Sequence, residues 1–185
     1  MAPVATRQEA RMTETGDEAA FRVAAIRLAP ELSVDALLAT VEATLRAEGA
    51  RLAGFRQGRG ADGGMAVEDL TGGGVFSISQ QLGAGSQGCR LDPQGLAEAA
   101  CAALAALETG PDLLILPRFG KAEVEGHGFR TVIERACERQ VPVLVAVKPD
   151  CVAAWEAFTG GAADRLDPDR GALLEWCRAG LRARA

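Results

Sequence analysis

Val141-Pro-Val-Leu-Val-Ala-Val147 is a continuous apolar run, and Asp112-Leu-Leu-Ile-Leu116 is another. Between them, the apolar residues of 129–137 recur at the spacing of one helix face. A strand, a helix and a second strand of these lengths form a βαβ unit, in which the strands are parallel and the crossover is right-handed. Because both strands are apolar throughout, helices should cover both faces of the sheet. The two runs therefore predict a three-layer α/β domain.

The rest of the chain continues the alternation of strands and helices. Further strands are predicted at 21–28, 52–56, 65–70 and 75–80. The last two should form a β-hairpin insertion at 65–80, and 21–28 should join 112–116 and 142–147 in a mostly parallel sheet. Ser33 and Asp92 fit the N-caps of two helices, and Asp150 and Asp167 are predicted to open two more.

Length and composition predict one α/β domain at 21–185, preceded by a disordered tail at 1–20 that lacks the apolar run of a signal peptide. The 20 basic and 25 acidic residues give a net charge of −5, which provides no general attraction to nucleic acid or to an anionic membrane. The 5 cysteines have no CxxC spacing, which is typical of reduced thiols in the cytoplasm. We expect a cytoplasmic protein that is able to form a homodimer, with no nucleic-acid or membrane partner.

Ligands of open α/β sheets bind outside the carboxyl ends of the strands. The loop between the hairpin and the next helix is rich in glycine and contains Gly85, Ser86, Gln87, Gly88, Cys89 and Arg90. Backbone N–H groups can converge on an anion in such a loop, a helix N-terminus follows it, and Arg90 adds a planar cation. The alternative is a plain turn with a surface arginine, in which Asp92 occupies the helix terminus itself.

A second group of candidates follows the strand at 112–116. Arg118 and Lys121 could hold an oxyanion between them, and Glu123 could pair with Lys121 or accept a proton. His127, the one histidine of the chain, lies in the same loop. The alternative is a solvated charged loop with internal ion pairs. Cys89 and His127 are too few for a zinc site, so neither a metal nor a cofactor is expected.

Several of these stretches together resemble a known family. Leu113-Leu-Ile-Leu-Pro-Arg-Phe-Gly-Lys-Ala-Glu123, Gly126-His-Gly-Phe-Arg130, Gly83 to Pro93 and Trp155-Glu-Ala-Phe158 are similar to the bacterial domain-of-unknown-function 2478 family over about Phe21 to Trp176. Some members of that family are associated with molybdenum-related genes. The pattern also resembles, more distantly, the thermophilic nucleoside-triphosphatase family of P-loop proteins, which implies a degenerate P-loop NTPase-like fold.

The chain departs from the P-loop pattern at the two places that hydrolysis requires. The first strand leads into Ala29-Pro-Glu-Leu-Ser33, without the glycines and lysine that hold phosphates, and Pro117-Arg118 replaces the acidic position for magnesium. The expected function is therefore binding or sensing of a small anionic ligand, an oxyanion such as molybdate or a nucleotide phosphate, without NTP hydrolysis. The alternative is an enzyme that uses Glu123, His127 or Cys89 on an anionic substrate.

Overall fold

A computed structural model of the chain describes residues 22–28, 33–80 and 91–182. The tail predicted at 1–20 and the glycine-rich loop at 85–90 lie outside the described residues. The described elements are, in chain order, β1 (Val23–Arg27), α1 (Val34–Ala47), β2 (Leu52–Arg59), β3 (Met65–Asp69), β4 (Val75–Ser77), α2 (Pro93–Glu108), β5 (Leu113–Phe119), α3 (Lys121–Val124), α4 (Arg130–Glu138), β6 (Val143–Val147), α5 (Val152–Thr159), β7 (Asp164–Leu166) and α6 (Arg170–Arg182).

The strands form one sheet of 7 in the order β4-β3-β2-β5-β6-β1-β7. Strands β2, β5, β6, β1 and β7 are parallel, whereas β3 and β4 extend the sheet as an antiparallel hairpin. The parallel arrangement of β1, β5 and β6 and the hairpin insertion are thus confirmed. The edge strand β7 escaped prediction because Asp164-Arg-Leu166 has only 3 residues and is mostly exposed.

Helices cover the sheet on both sides, as the apolar strands predicted. Every residue of β6 is buried, and successive side chains point to opposite faces. Val145 packs with residues of α2, α4 and α5, whereas its neighbour Leu144 packs with residues of α1 and α6. We call these two sides the α2 face and the α1 face. No helix of the described ranges is long and apolar enough to span a membrane.

The sheet splits at Gly54, where β2 leaves β5. Pairing with β5 covers only Leu52 to Gly54, and β2 then continues alongside β3 as far as Arg59. A side chain at Gly54 is excluded, because a Cβ there would lie 2.0 Å from the carbonyl oxygen of Ile115 and φ is +103°. The split carries the second half of β2 away from β5 above the carboxyl edge of the sheet.

Two of the four predicted helix starts are correct. Ser33 accepts a hydrogen bond from the backbone N–H of Ala36, and Asp92 caps α2 in the same way. The other two predictions are wrong. Asp150 lies in a 3₁₀ turn before α5, and Asp169 rather than Asp167 accepts the backbone N–H of Ala172 to begin α6. Proline at 168 favoured the earlier start, but a nearby aspartate caps equally well.

Candidate functional site

Three neighbouring parallel strands carry a basic residue at their carboxyl ends. Arg118 is the penultimate residue of β5, Lys148 directly follows β6, and Arg27 ends β1. The register places Arg27 beside Val147 and Val147 beside Phe119, so the three basic residues stand at nearly the same level of the sheet. Since neighbouring strands are about 4.8 Å apart, the three backbone positions fall within roughly 10 Å. Positive charge therefore collects at this edge.

Arg118 forms a bidentate ion pair with Asp35 in the first turn of α1. Its Nη1 lies 2.8 Å from Asp35 Oδ1, and its Nη2 donates to Asp35 Oδ2 at 3.0 Å. Its Nη1 also donates to the carbonyl of Pro117 at 2.6 Å. A register shift between Leu116 and Phe119 marks a β-bulge around Arg118. Bulges re-aim side chains, and here the guanidinium is directed toward α1.

Lys148 is a candidate that the sequence interpretation missed. Its aliphatic stem lies against Gly120, because a Cβ at Gly120 would stand 3.5 Å from Lys148 Cδ and Cε and 3.7 Å from Nζ. The side chain is exposed. Within 22–28, 33–80 and 91–182, neither Lys148 nor Arg27 forms an ion pair. Its place just after an apolar strand, equivalent to that of Arg118, was the signal that could have identified it.

Lys121 begins α3 and is 80% exposed in its side chain. Its Nζ lies 3.5 Å from Glu125 Oε1, one helical turn away. The predicted pairing of Lys121 with Glu123 is therefore wrong, because Glu125 takes that place on the exposed side of the turn. Lys121 and Arg118 each have an internal carboxylate partner, which an external anion would have to displace.

Glu123 is buried and holds the loop after β5 together. Its Oε2 accepts the backbone N–H of Gly120 at 2.8 Å, and its Oε1 accepts that of Phe129 at 3.0 Å. Burial raises the pKa of Glu123, while the two N–H groups and the charge of Lys148 act in the opposite direction. Both oxygens are thus occupied by backbone donors, so this carboxylate fixes the loop that carries Lys121.

His127 is exposed on the turn between α3 and α4, where its backbone N–H donates to Ala122 at 2.8 Å. Nothing in the described residues holds its ring toward Glu123 as a catalytic pair would require. Gly128 follows at φ +60°, and a Cβ there would lie 2.2 Å from Glu123 Oε1. The tight turn over Glu123 therefore accounts for the residue types at 126–128 without a catalytic role.

Gly85, Ser86, Gln87, Gly88, Cys89 and Arg90 lie outside the described residues, but both ends of their segment are placed. Ser79 forms a β-bridge with Leu91, and the amide of Gln80 donates to the Leu91 carbonyl at 2.8 Å. Gln80 and Leu91, the described residues on either side of the segment, therefore lie next to each other, beside the N-terminus of α2. The first turn of α2 reaches the loop after β5, since a Cβ at Gly128 would lie 3.2 Å from Leu96 Cδ2.

A cleft of about 310 Å³ opens at the carboxyl edge on the α1 face. It is lined by Asp35, Gln57, Gly58, Arg59 and Met65, so it occupies the space that the split of β2 from β5 creates. Asp35 connects the cleft to Arg118. Arg59 donates to the carbonyl of Gly63 at 3.1 Å and forms no ion pair among the described residues.

Three of the four described cysteines are poorly placed for nucleophilic chemistry. Burial raises the pKa of Cys137 to about 11 and that of Cys177 to about 12, so both remain protonated thiols at neutral pH. Burial and the neighbouring Asp150 also raise the pKa of Cys151. In the part of the chain that the structure describes, no three His, Cys, Asp or Glu side chains form a group able to hold a metal ion.

Comparison with known proteins identifies the fold and the family. The solution structure of a human cancer-related nucleoside triphosphatase superposes with a TM-score of 0.58 over 89% of this chain and 99% of that one, at 15% identity, so the fold is P-loop NTPase-like. The molybdenum import ATP-binding protein ModC 2 of Bradyrhizobium diazoefficiens is 38% identical over 162 residues, which are 85% of this chain but only 18% of that protein. The family "Protein of unknown function (DUF2478)" matches residues 23–176. The resemblance inferred from the sequence is thus confirmed, and the chain belongs to the DUF2478 family.

Proposed function

We propose that this protein binds a small anionic ligand, an oxyanion such as molybdate or the phosphate of a nucleotide, at the carboxyl edge of its sheet, and does not hydrolyse nucleoside triphosphates. One observation carries the proposal. Arg118, Lys148 and Arg27 gather at the ends of three adjacent strands in a chain whose net charge is −5. Arg27 and Lys148 form no ion pair among the described residues, so their charges can be neutralised by an external anion.

The donors at this edge suit an oxyanion. The planar guanidinium of Arg118 can bind two oxygens at once, and Lys148 and Lys121 supply mobile point charges. The segment Gly85–Arg90, anchored beside α2, is proposed to add backbone donors from the other side. Charge-assisted hydrogen bonds contribute about 1.5–3 kcal/mol each, so a few of them give micromolar affinity for a small anion.

The relatives support nucleotide or molybdate as the ligand classes to test first. ModC 2 is an ATP-binding protein of molybdenum import by its name, and the structural neighbour is a nucleoside triphosphatase. Two sequence features support binding without hydrolysis. Ala29-Pro-Glu-Leu-Ser33 replaces the phosphate-binding loop, and Arg118 stands where a carboxylate would hold magnesium.

An enzyme using Glu123, His127 or Cys89 is the weaker alternative. The oxygens of Glu123 are occupied by the N–H groups of Gly120 and Phe129, so Glu123 is not free to accept a substrate proton. The two functions differ in one measurable property. An enzyme loses turnover but keeps binding when His127 is changed to alanine, whereas a binding protein shows affinity and no turnover with any anionic substrate.

Calorimetric titration of the purified protein with molybdate, sulfate, phosphate, ADP and ATP tests the proposal. We expect at least one of these to bind, and Arg118→Ala to weaken it roughly tenfold or more. Arg118→Lys should restore only part of the affinity, because lysine lacks the planar fork. The matched control is Arg51→Ala, which removes the other bidentate arginine–aspartate pair, with Asp112 at the opposite edge of the sheet.

Two results would refute the proposal. One is the absence of binding by every anion in the series, and the other is an affinity that Arg118→Ala and Arg51→Ala reduce equally. The claim of no hydrolysis has a separate test. Incubation with ATP or GTP and magnesium should release no phosphate above background, and turnover that persists through rigorous purification would contradict it.

A further inference from the structure

We propose that Asp35 is a built-in substitute for the ligand: its carboxylate occupies the anion position on Arg118, and an incoming anion displaces it into the adjoining cleft. This inference rests on the proposed function, because it describes how the same edge is kept closed in the absence of ligand. It adds a residue, Asp35, that sets the affinity without being a ligand contact itself.

The geometry of the pair is that of a bound anion. Two guanidinium nitrogens of Arg118 face two oxygens of Asp35, at 2.8 and 3.0 Å. The 3.0 Å contact is a hydrogen bond, whereas Asp35 Oδ1 is buried without a hydrogen-bond partner among the described residues, so the carboxylate lies where arginine binds an anion but is held there by one hydrogen bond and its charge. The pair joins α1 to β5 across 83 residues of sequence. An oxyanion that binds Arg118 through the same two nitrogens takes the position that Asp35 now holds.

Asp35 is free to leave, unlike the aspartate of the similar pair at the other edge. Asp112 accepts from Arg51 Nη2 at 2.7 Å and also from the Arg51 backbone N–H at 2.8 Å, so the main chain fixes its carboxylate. In the described residues, Asp35 has no hydrogen-bond partner other than Arg118. The N-terminus of α1 favours the charge of Asp35 but forms no hydrogen bond with it among the described residues, since Ser33 supplies the side chain that caps Ala36.

The cleft beside the pair offers room for the exchange. Its volume of about 310 Å³ exceeds that of a tetrahedral oxyanion, and Asp35 forms part of its wall. Arg59 lines the same cleft with no carboxylate partner among the residues described. Released from Asp35, the guanidinium of Arg118 and that of Arg59 would both border the cleft. A compact oxyanion or a terminal phosphate group is the ligand chemistry that this pair of arginines fits.

The inference predicts that removing the carboxylate strengthens binding. Asp35→Asn keeps the shape of the side chain but removes the charge that competes for Arg118 and repels the anion. We expect affinity to rise about tenfold or more. Asp35→Ser provides a second variant, because serine is also tolerated in a first helical turn. The matched control is Asp112→Asn, which removes the same charge from the Arg51 pair and should leave affinity unchanged.

The experiment is calorimetric titration of the full chain and these variants, with molybdate and sulfate in one arm and ADP in the other, so that a free oxyanion is distinguished from a nucleotide phosphate. Tighter binding to Asp35→Asn and Asp35→Ser, lost again when Arg118→Ala is added, is the expected result. Unchanged or weaker anion binding by both folded Asp35 variants would overturn the inference. The proposed function would still stand in that case if Arg118→Ala, introduced alone, weakens anion binding. If no anion binds any variant, the proposed function fails and this inference with it.

Discussion

The two edges of the parallel sheet differ in how many of their basic side chains form ion pairs. At the amino edge, Arg51 pairs with Asp112, and Arg178 pairs with Glu48. At the carboxyl edge, Arg27 and Lys148 form no ion pair among the described residues, and Asp35 has no hydrogen-bond partner there other than Arg118. A basic side chain that is already in an ion pair has less to gain from an added anion than Arg27 or Lys148. An ion pair fixed by the main chain has little to gain from a third partner.

Cavity size does not make this distinction. The cleft at the amino edge, lined by residues that include Glu48, Asp112 and Arg178, has a volume of about 480 Å³, larger than the 310 Å³ cleft beside Asp35. Its arginine at 178 is nevertheless paired with Glu48, which lowers the pKa of that carboxyl chiefly through their hydrogen bond. The cation of the larger cleft is therefore already paired, whereas Arg59 in the smaller cleft forms no ion pair among the described residues.

The largest expected effect comes from breaking the loop that supports the carboxyl edge. Glu123→Ala leaves the buried N–H groups of Gly120 and Phe129 without partners, at a cost of about 1–3 kcal/mol each. We expect the free energy of unfolding to fall by about 2–4 kcal/mol in urea denaturation. The matched control is Glu125→Ala, an exposed glutamate of the same turn, which should change stability by less than about 0.5 kcal/mol. Equal effects of the two substitutions would contradict the role assigned to Glu123.

Removing a basic side chain of the carboxyl edge that has no ion pair among the described residues should have a smaller effect, and this effect should be on anion affinity. Lys148→Ala and Arg27→Ala should each weaken anion binding by roughly threefold to tenfold, because an exposed charge contributes about 1 kcal/mol. Both variants should also flatten the dependence of affinity on salt concentration, since each removes a screened charge. Arg178→Ala at the amino edge should alter neither quantity. Loss of affinity in Arg178→Ala equal to that in Lys148→Ala would remove the contrast between the edges.

The smallest effect concerns pH. Burial raises the pKa of Glu123 above its usual range, so the folded chain binds this proton more tightly than the unfolded chain does. The associated stability is fully present below the unfolded-state pKa of a glutamate and is lost as pH rises through the folded-state pKa. Unfolding measured at a series of pH values should therefore show the advantage of the wild type over Glu123→Gln shrinking as pH rises. An advantage that grows with pH instead would show that the backbone donors outweigh burial.

Sequence patterns predicted the parts of the molecule that depend on local chemistry. The strands around Leu114 and Leu144 were found because burial on both faces requires unbroken apolar runs, and Arg118 was found because it follows such a run. The pairing of Arg118 with Asp35 could not be predicted, since the two are 83 residues apart and meet only when α1 packs on β5. The role of Glu123 depends on the fold of its own turn, where nearby Lys121 was the more obvious partner.

The central claim is that the carboxyl edge, not the amino edge, is an anion site. Crystals soaked in sodium tungstate test it most directly, because the anomalous scattering of tungsten locates the anion without reference to any predicted contact. We expect an anomalous peak within hydrogen-bonding distance of Arg118, with the carboxylate of Asp35 displaced from the guanidinium. A peak only in the cleft beside Arg178, or Arg118 still paired with Asp35 while the anion binds elsewhere, would contradict it.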